Sequence, residues 1–365
     1  MKRLFPVAFA LLASVALPVS ALAKPKPALG TATVLATVPA PGYPGPMGFP
    51  EGLAVKGNRV YVGASATFGT AGSAASRVHA FNRKTGALDA TYEIDGQDLS
   101  QEHAISNLAF DDDGRLYVLD TQQGVIRLDL EGCDAQEVYA PIPDLLPCNV
   151  ALPGTDCSPT AFDRPPLPND IVFEADGTAY VTDSFQATIW RIPPGGGYAE
   201  IWFQDPVLDD LFGPNGIRLT PDRTSLVFVQ TMTGFDFGTP GFIYELPLVN
   251  APTAADLSVF HAYGFESPDG IAFGDSGNLY VALALSNQIS VLRPDGTEET
   301  RFSGPATSPG GSIPFDAPAS IAFIDSTKSI VVTNHALFSA IPQNFAVIDV
   351  FVGEKGDKLE RPELP

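Results

Sequence analysis

Apolar and polar positions along this chain alternate in short runs, broken by Gly, Pro, Asp and Asn, and the runs recur in a fixed order. The segments SNLAFDDDGRLYVLD (106–120), NDIVFEADGTAYVTD (169–183) and DGIAFGDSGNLYVAL (269–283) share one pattern of apolar, polar and turn positions. Weaker copies are EGLAVKGNRVYVGA (51–64), NGIRLTPDRTSLVFVQ (215–230) and ASIAFIDSTKSIVVTN (319–334). Each of the six copies predicts an apolar strand, a polar turn and a second strand rich in Val, Tyr and Leu. A third strand follows every copy: RVHAF, VIRLDL, TIWRI, FIYEL, ISVLR and VIDVFV. Fourth strands DATYEI, AQEVYA, AEIWF, SVFHAY and EETRF follow five of them, and the last copy has none before a charged tail. The segment ATVLATV (32–38) lies ahead of the first copy without a partner and is expected to supply the missing outer strand. The pattern predicts an all-β fold: a six-bladed β-propeller of four-stranded blades closed by an N-terminal strand, in which radial repetition leaves only short, protected edges.

Composition agrees with this class. Of 365 residues, 45% are apolar and 17% charged, with 34 Gly and 34 Pro, as expected for a large turn-rich β protein. Residues 1–23, MKRLFPVAFALLASVALPVSALA, have Lys2 and Arg3 ahead of an apolar run and a small-residue cleavage site, the layout of a secretory signal peptide. Residues 24–365 are then a single propeller domain, exported to the periplasm or the extracellular space, with no membrane attachment once the leader is cut. The formal charge is −21, and about −23 without the leader, which argues against nucleic-acid partners. A small-molecule substrate and a monomeric state are expected. Three cysteines, Cys133, Cys148 and Cys157, fall in an insertion at about 131–165 between the second and third blades. Cys148 and Cys157 are expected to pair around NVALPGTD, leaving Cys133 over, although spacing alone leaves pairing with Cys133 open.

The residue ahead of each innermost strand faces one mouth of the central channel. Around the ring this slot holds Glu51, Ser106, Asn169, Asn215, Asp269 and Ala319. Four carboxylate or carboxamide side chains carrying two negative charges suit a hard divalent cation, calcium in preference to magnesium, with water completing its shell. Asn-Gly before an apolar run is also a turn signal, so spacing alone leaves Asn215 a turn role. Asp170, which follows the Asn169 slot where other copies have Gly, fits a supporting position at the same mouth.

Four motifs, FPEGLAV, LPNDIVF, GPNGIRLTPD and SPDGIAFGDSGNLYVA, resemble the ligand-bearing segments of the senescence marker protein, gluconolactonase and luciferin-regenerating enzyme family, with paraoxonases as more distant relatives. The resemblance extends over nearly all of the chain after the leader. It implies calcium ligands at Glu51, Asn169, Asn215 and Asp269, a lactonase or related hydrolase activity, and Asp269 as base or nucleophile. Metal-assisted ester hydrolysis also fits what is missing, since the chain has no Gly-x-Ser-x-Gly element, paired-His zinc motif or phosphate-cradling loop. His335, after the second strand of blade six, is expected at the metal mouth as a general base or substrate contact; His103, Ser106 and Asp170 are expected to bind substrate. His79 and His261 fall inside outer strands and are given no role. Phe185, Met232, Phe235, Phe237 and Phe338 are expected to form an apolar rim. Two other functions share this fold: a non-catalytic propeller that uses calcium for stability and binds a ligand or protein, and a strictosidine synthase-type enzyme.

Overall fold

The computed structural model describes residues 26–39, 48–130, 135–234, 239–305 and 312–364. The leader, Cys133, Phe235 and Phe237 lie outside them. Six four-stranded antiparallel sheets surround one axis, and the only helical segments among the described residues are three single turns of 3-10 helix. Blade one is built from strands Pro50–Lys56, Arg59–Ala64, Arg77–Asn82 and Leu88–Glu93. Blades two to six begin at the inner strands Ile105–Phe110, Pro168–Phe173, Pro214–Leu219, Pro268–Phe273 and Pro318–Ile324. Strand Ala32–Thr37 pairs antiparallel with Ala346–Phe351 and so completes blade six, as the unpartnered ATVLATV segment predicts.

Burial falls with distance from the axis. Second strands such as Ala179–Asp183 are buried at every position, because neighbouring blades cover both faces, whereas the outermost strand Leu88–Glu93 has no buried residue. Six apolar clusters fill the six gaps between blades. Tyr117, Phe173 and Trp190 join blades two and three, and Phe49, Phe345 and Val38 close the ring between blades six and one. The blades are therefore wedges, each half-stabilised by its neighbours.

All six inner strands carry an irregularity in register after their first residue, and five of them start with Pro. Proline is tolerated there because a strand's first residue need not donate to the ladder. The next residue is the slot, and the one after it is Gly in blades one, four and five. A methyl group on Gly52 would lie 2.3 Å from the Ser106 carbonyl oxygen, and one on Gly216 would lie 2.7 Å from that of Asp269. These glycines serve close approach of inner strands, not a turn. Asn215 and Gly216 sit inside strand Pro214–Leu219, which removes the turn role that Asn-Gly spacing had left open.

Cys148 and Cys157 are disulfide-bonded, with Cα atoms 4.9 Å apart. Strand Ala135–Ala140 belongs to blade two, so the insertion occupies 141–167, a narrower span than expected. The charged tail beyond Gly353 runs across the end of the channel opposite the slots. Its backbone bonds blade five through Asp357 N to Phe273 O at 2.8 Å, and its Asp357 and Glu360 carboxylates bind Arg223 of blade four at 2.6 and 3.0 Å. Arg361 donates to Val55 O of blade one at 2.9 Å, Asp112 N of blade two donates to Pro362 O at 3.2 Å, and Leu364 is buried in the cluster between blades two and three.

Candidate functional site

The slot residues meet at the other mouth. Glu51, Asn169 and Asn215 are buried, while Asp269 keeps part of its surface open. Burial, then the charges of Asp269 and Asp170, push the Glu51 carboxyl well above its usual range. Asp269 is pushed up to about 7 by burial, eased by a hydrogen bond from the Asn215 amide and raised further by the charge of Asp170. Each of these carboxylates thus feels the others in a poorly solvated place. The amide nitrogen of Asn169 donates to Ser184 Oγ at 3.1 Å and that of Asn215 to Thr231 Oγ1 at 2.9 Å. This orientation leaves both Oδ1 atoms without a protein partner among the described residues. Glu51 Oε2 is buried and has no hydrogen-bond partner among the described residues.

That orphaned oxygen is where a cation fits. Among the described residues no three His, Cys, Asp or Glu side chains form a ready-made metal cage. The donor set is instead mixed, two carboxylates and two carboxamide oxygens, which is an oxygen-only set of the kind hard divalent ions accept.

Asp170 does something other than bind substrate. Its Oδ1 accepts from Asn107 Nδ2 at 2.6 Å and Ile171 N at 2.8 Å, and its Oδ2 accepts from Ile217 N at 2.9 Å and Arg218 Nη1 at 2.5 Å. It is buried and fully bonded, so no oxygen remains for a ligand. Asn107 Oδ1 in turn accepts from Leu53 N at 3.2 Å and Leu108 N at 2.8 Å. This Asn107–Asp170–Arg218 network ties blades one to four below the slot ring, and neither Asn107 nor Arg218 was anticipated. The available signal was that Asn107 and Asp170 stand where three other copies have Gly.

A cavity of about 110 Å³ opens beside the slots, lined by Glu51, Ser106, Asn169, His103 and His335 at its polar end. His103 has Nδ1 3.0 Å from Gln101 O, and Nε2 3.0 Å from Ala74 O and 3.3 Å from Ser73 Oγ, so each nitrogen already faces a polar group of the protein. Ser106 Oγ donates to Pro168 O at 2.6 Å and can still accept. His335 Nε2 lies 2.6 Å from Ala66 O, an acceptor, so the proton sits on Nε2 and Nδ1 keeps its lone pair. Burial holds this imidazole neutral, with its pKa lowered to about 4. Of the expected rim, Phe185 packs against Phe68 and Phe212, which line the cavity and were not anticipated; Met232 is buried and Phe338 is exposed.

Residues 163–327 match the sequence profile of the SMP-30/Gluconolactonase/LRE-like region. That span carries three of the four motifs on which the resemblance rests; FPEGLAV lies before it. No curated protein matches the chain. A calcium-binding regucalcin from Agrobacterium tumefaciens superposes with a TM-score of 0.62 at 18% identity, over 92% of this chain and 97% of its own. A gluconolactonase from Xanthomonas campestris gives 0.57 at 17% identity, over 88% and 89%. A luciferin-regenerating enzyme gives 0.60 at 12% identity, over 92% and 99%. At these identities the superpositions speak for the six-bladed fold. The profile match supports lactonase-type hydrolysis at the level of the family.

Proposed function

We propose that the protein is a calcium-dependent hydrolase that opens a lactone or related ester at the slot mouth. The observation that carries this reading is Glu51 Oε2, buried without a partner beside Asp269. Buried carboxylates in such proximity are unfavourable unless a cation or protons neutralise them. Glu51, Asn169, Asn215 and Asp269 would hold the ion, and calcium tolerates their mixed charge and geometry better than magnesium does. When bound, it supplies polarisation of the substrate carbonyl and stabilisation of the oxyanion formed from it.

The remaining roles belong to the chain. His335 Nδ1, an acceptor, holds one hydrogen of a water molecule in the cavity. Asp269 takes the proton of that water as its oxygen bonds to the carbonyl carbon. The ring C–O bond then breaks, and the departing alkoxide receives the proton. Asn107 and Arg218 keep Asp170 in place beneath, which positions the inner strands that carry Asn169 and Asn215.

We further propose that the protein works as a monomer outside the cytoplasm. Support comes from the Cys148–Cys157 bridge, which persists in oxidising compartments, and from the leader-like first 23 residues. No helix among the described residues is long and apolar enough to cross a membrane.

The test is calorimetric titration of calcium together with a lactone and aryl-ester panel, run with and without chelator. Turnover is expected to need calcium. Asp269→Asn is expected to keep most of the calcium affinity and to lower kcat by about 10²- to 10⁴-fold. Full activity after exhaustive chelation would overturn the metal role. Calcium binding without turnover of any ester would favour the non-catalytic binding propeller.

A further inference from the structure

The cavity is polar at the slots and apolar above them. Ala66, Ile105, Leu167, Phe212 and Leu337 line its walls, and among the described residues no Lys or Arg does. Polar groups on the upper wall are partly engaged, with Glu102 Oε1 reached only by Ala71 N at 3.5 Å. Glu102 accepts from Gly69 N at 2.8 Å, Thr70 N at 3.0 Å and Thr70 Oγ1 at 3.2 Å, and both nitrogens of His103 face backbone carbonyls. A polyhydroxylated ring placed here would lose water around its hydroxyls and find few replacement partners, which is strongly disfavoured. Apart from an ion held at the slots, an anionic substrate would meet no cationic side chain among the described lining residues and would face the Glu102 carboxylate on the upper wall.

Over the mouth, three phenyl rings from three blades form one surface. Phe68 and Phe185 are near-parallel with centroids 6.1 Å apart, and Phe212 lies 6.1 Å from the first and 5.9 Å from the second. Phe68 is 57% exposed, so its apolar face is offered to solvent. All three are held in place. The Arg164 guanidinium stacks on Phe185 at 4.9 Å while binding Asp209 Oδ1 at 3.1 Å and Asp210 O at 2.7 Å, next to Phe212. Glu102 fixes the residues that follow Phe68. A pre-arranged exposed aromatic surface gains binding energy without an ordering penalty.

We propose that the site selects a neutral lactone or ester bearing an apolar aryl or alkyl substituent, with Phe68, Phe185 and Phe212 as the specificity-determining contacts and the ester group at the slots. This rests on the hydrolase reading above and names its substrate class. The polar floor and apolar rim match a substrate with a single polar head.

The experiment compares kcat/KM for a γ-lactone carrying an n-octyl chain, unsubstituted γ-butyrolactone and glucono-δ-lactone, in the parent and in Phe68→Ala and Phe68→Leu. The octyl lactone is expected to exceed the sugar lactone by about 100-fold, and Phe68→Ala to reduce the octyl-to-unsubstituted ratio about 10-fold, through KM, with Phe68→Leu retaining most of it. Melting curves confirm that both variants fold. A parent that prefers the sugar lactone, or a ratio unmoved by Phe68→Ala, overturns the proposal. If no lactone is opened, the hydrolase reading fails by itself, and calorimetry with the non-hydrolysable octyl γ-lactam decides the proposal. Binding weakened about 10-fold by Phe68→Ala supports it, and no binding or equal binding in both proteins overturns it.

Discussion

The two ends of the central channel are built from the same six inner strands and treat charge in opposite ways. At the far end the C-terminal tail crosses from blade to blade, and its carboxylates meet Arg223 while its Arg361 meets a backbone carbonyl. Leu364 anchors the end of the tail in apolar surroundings. At the slot end, among the described residues, Glu51 and Asp269 crowd together under no cationic side chain, and one buried oxygen is left unbonded. Arg218 is engaged by Asp170 one layer below. One end is satisfied and closed, the other unsatisfied and open. Satisfied contacts and the unsatisfied oxygen thus lie at opposite ends of a frame that repeats in its backbone, and the unsatisfied end is where the proposed ligand site lies.

Removing the tail is the harshest test of that contrast. A chain ending at Gly353 loses the burial of Leu364, the Arg223 pairs and the crossing backbone bonds, and is expected to be about 3 kcal/mol less stable in urea melts. Calcium affinity of the folded fraction should stay within about twofold, because the slots lie at the other end. A large loss of calcium binding with little change in stability would show that the two ends are not separate.

A substitution at the slot end should act in the opposite direction. In the presence of chelator, Glu51→Gln is expected to raise stability at pH 7 by about 1–2 kcal/mol. The sign follows from linkage: the folded-state pKa of Glu51 lies above its unfolded value, so the parent loses stability as pH rises from the ordinary carboxylate range towards the raised one. The variant lacks that decline. With calcium present, the same change should be destabilising relative to the parent. A Glu51→Gln protein that is less stable under both conditions would mean the mouth is satisfied as it stands.

Away from both ends, His79 in strand Arg77–Asn82 provides a smaller calibration. Its Nδ1 lies 3.0 Å from Thr91 Oγ1, and burial, with the charge of Arg77 second, lowers its pKa to about 4. A depressed histidine pKa favours the folded state only while the ring is neutral, so this contribution is lost as pH falls from about 6.5 towards 4. The gap between parent and His79→Gln should shrink by about 1.4 kcal/mol between pH 7.5 and pH 5.5 in paired urea melts, and a constant gap would show that the ring is solvated.

Repetition made the architecture legible from residues alone. Each copy states the same strand–turn–strand, and an N-terminal strand with no partner can only complete the blade that lacks one. The slot was legible for a related reason: a position that recurs at each inner strand acquires a meaning that a single Asn-Gly does not have. What a repeat leaves out is the part that differs between copies. The aromatic surface combines Phe68, Phe185 and Phe212 from three blades, and their approach depends on loops with no common pattern. His103 and Asp170 were legible as polar groups near the mouth, but only the packed structure decided that their atoms are engaged, because hydrogen-bond partners such as Ala74 O and Ile217 N come from segments distant in sequence. The tail was likewise legible only as a charged end, and its course across five blades follows from complementary groups that the tertiary fold alone brings together. The sequence by itself determined the strands, their count and their closure, because those rest on local periodicity and on the need to bury each blade's faces. The tertiary structure decided which polar groups remain free, since satisfaction of a buried donor or acceptor is a property of its neighbours in space.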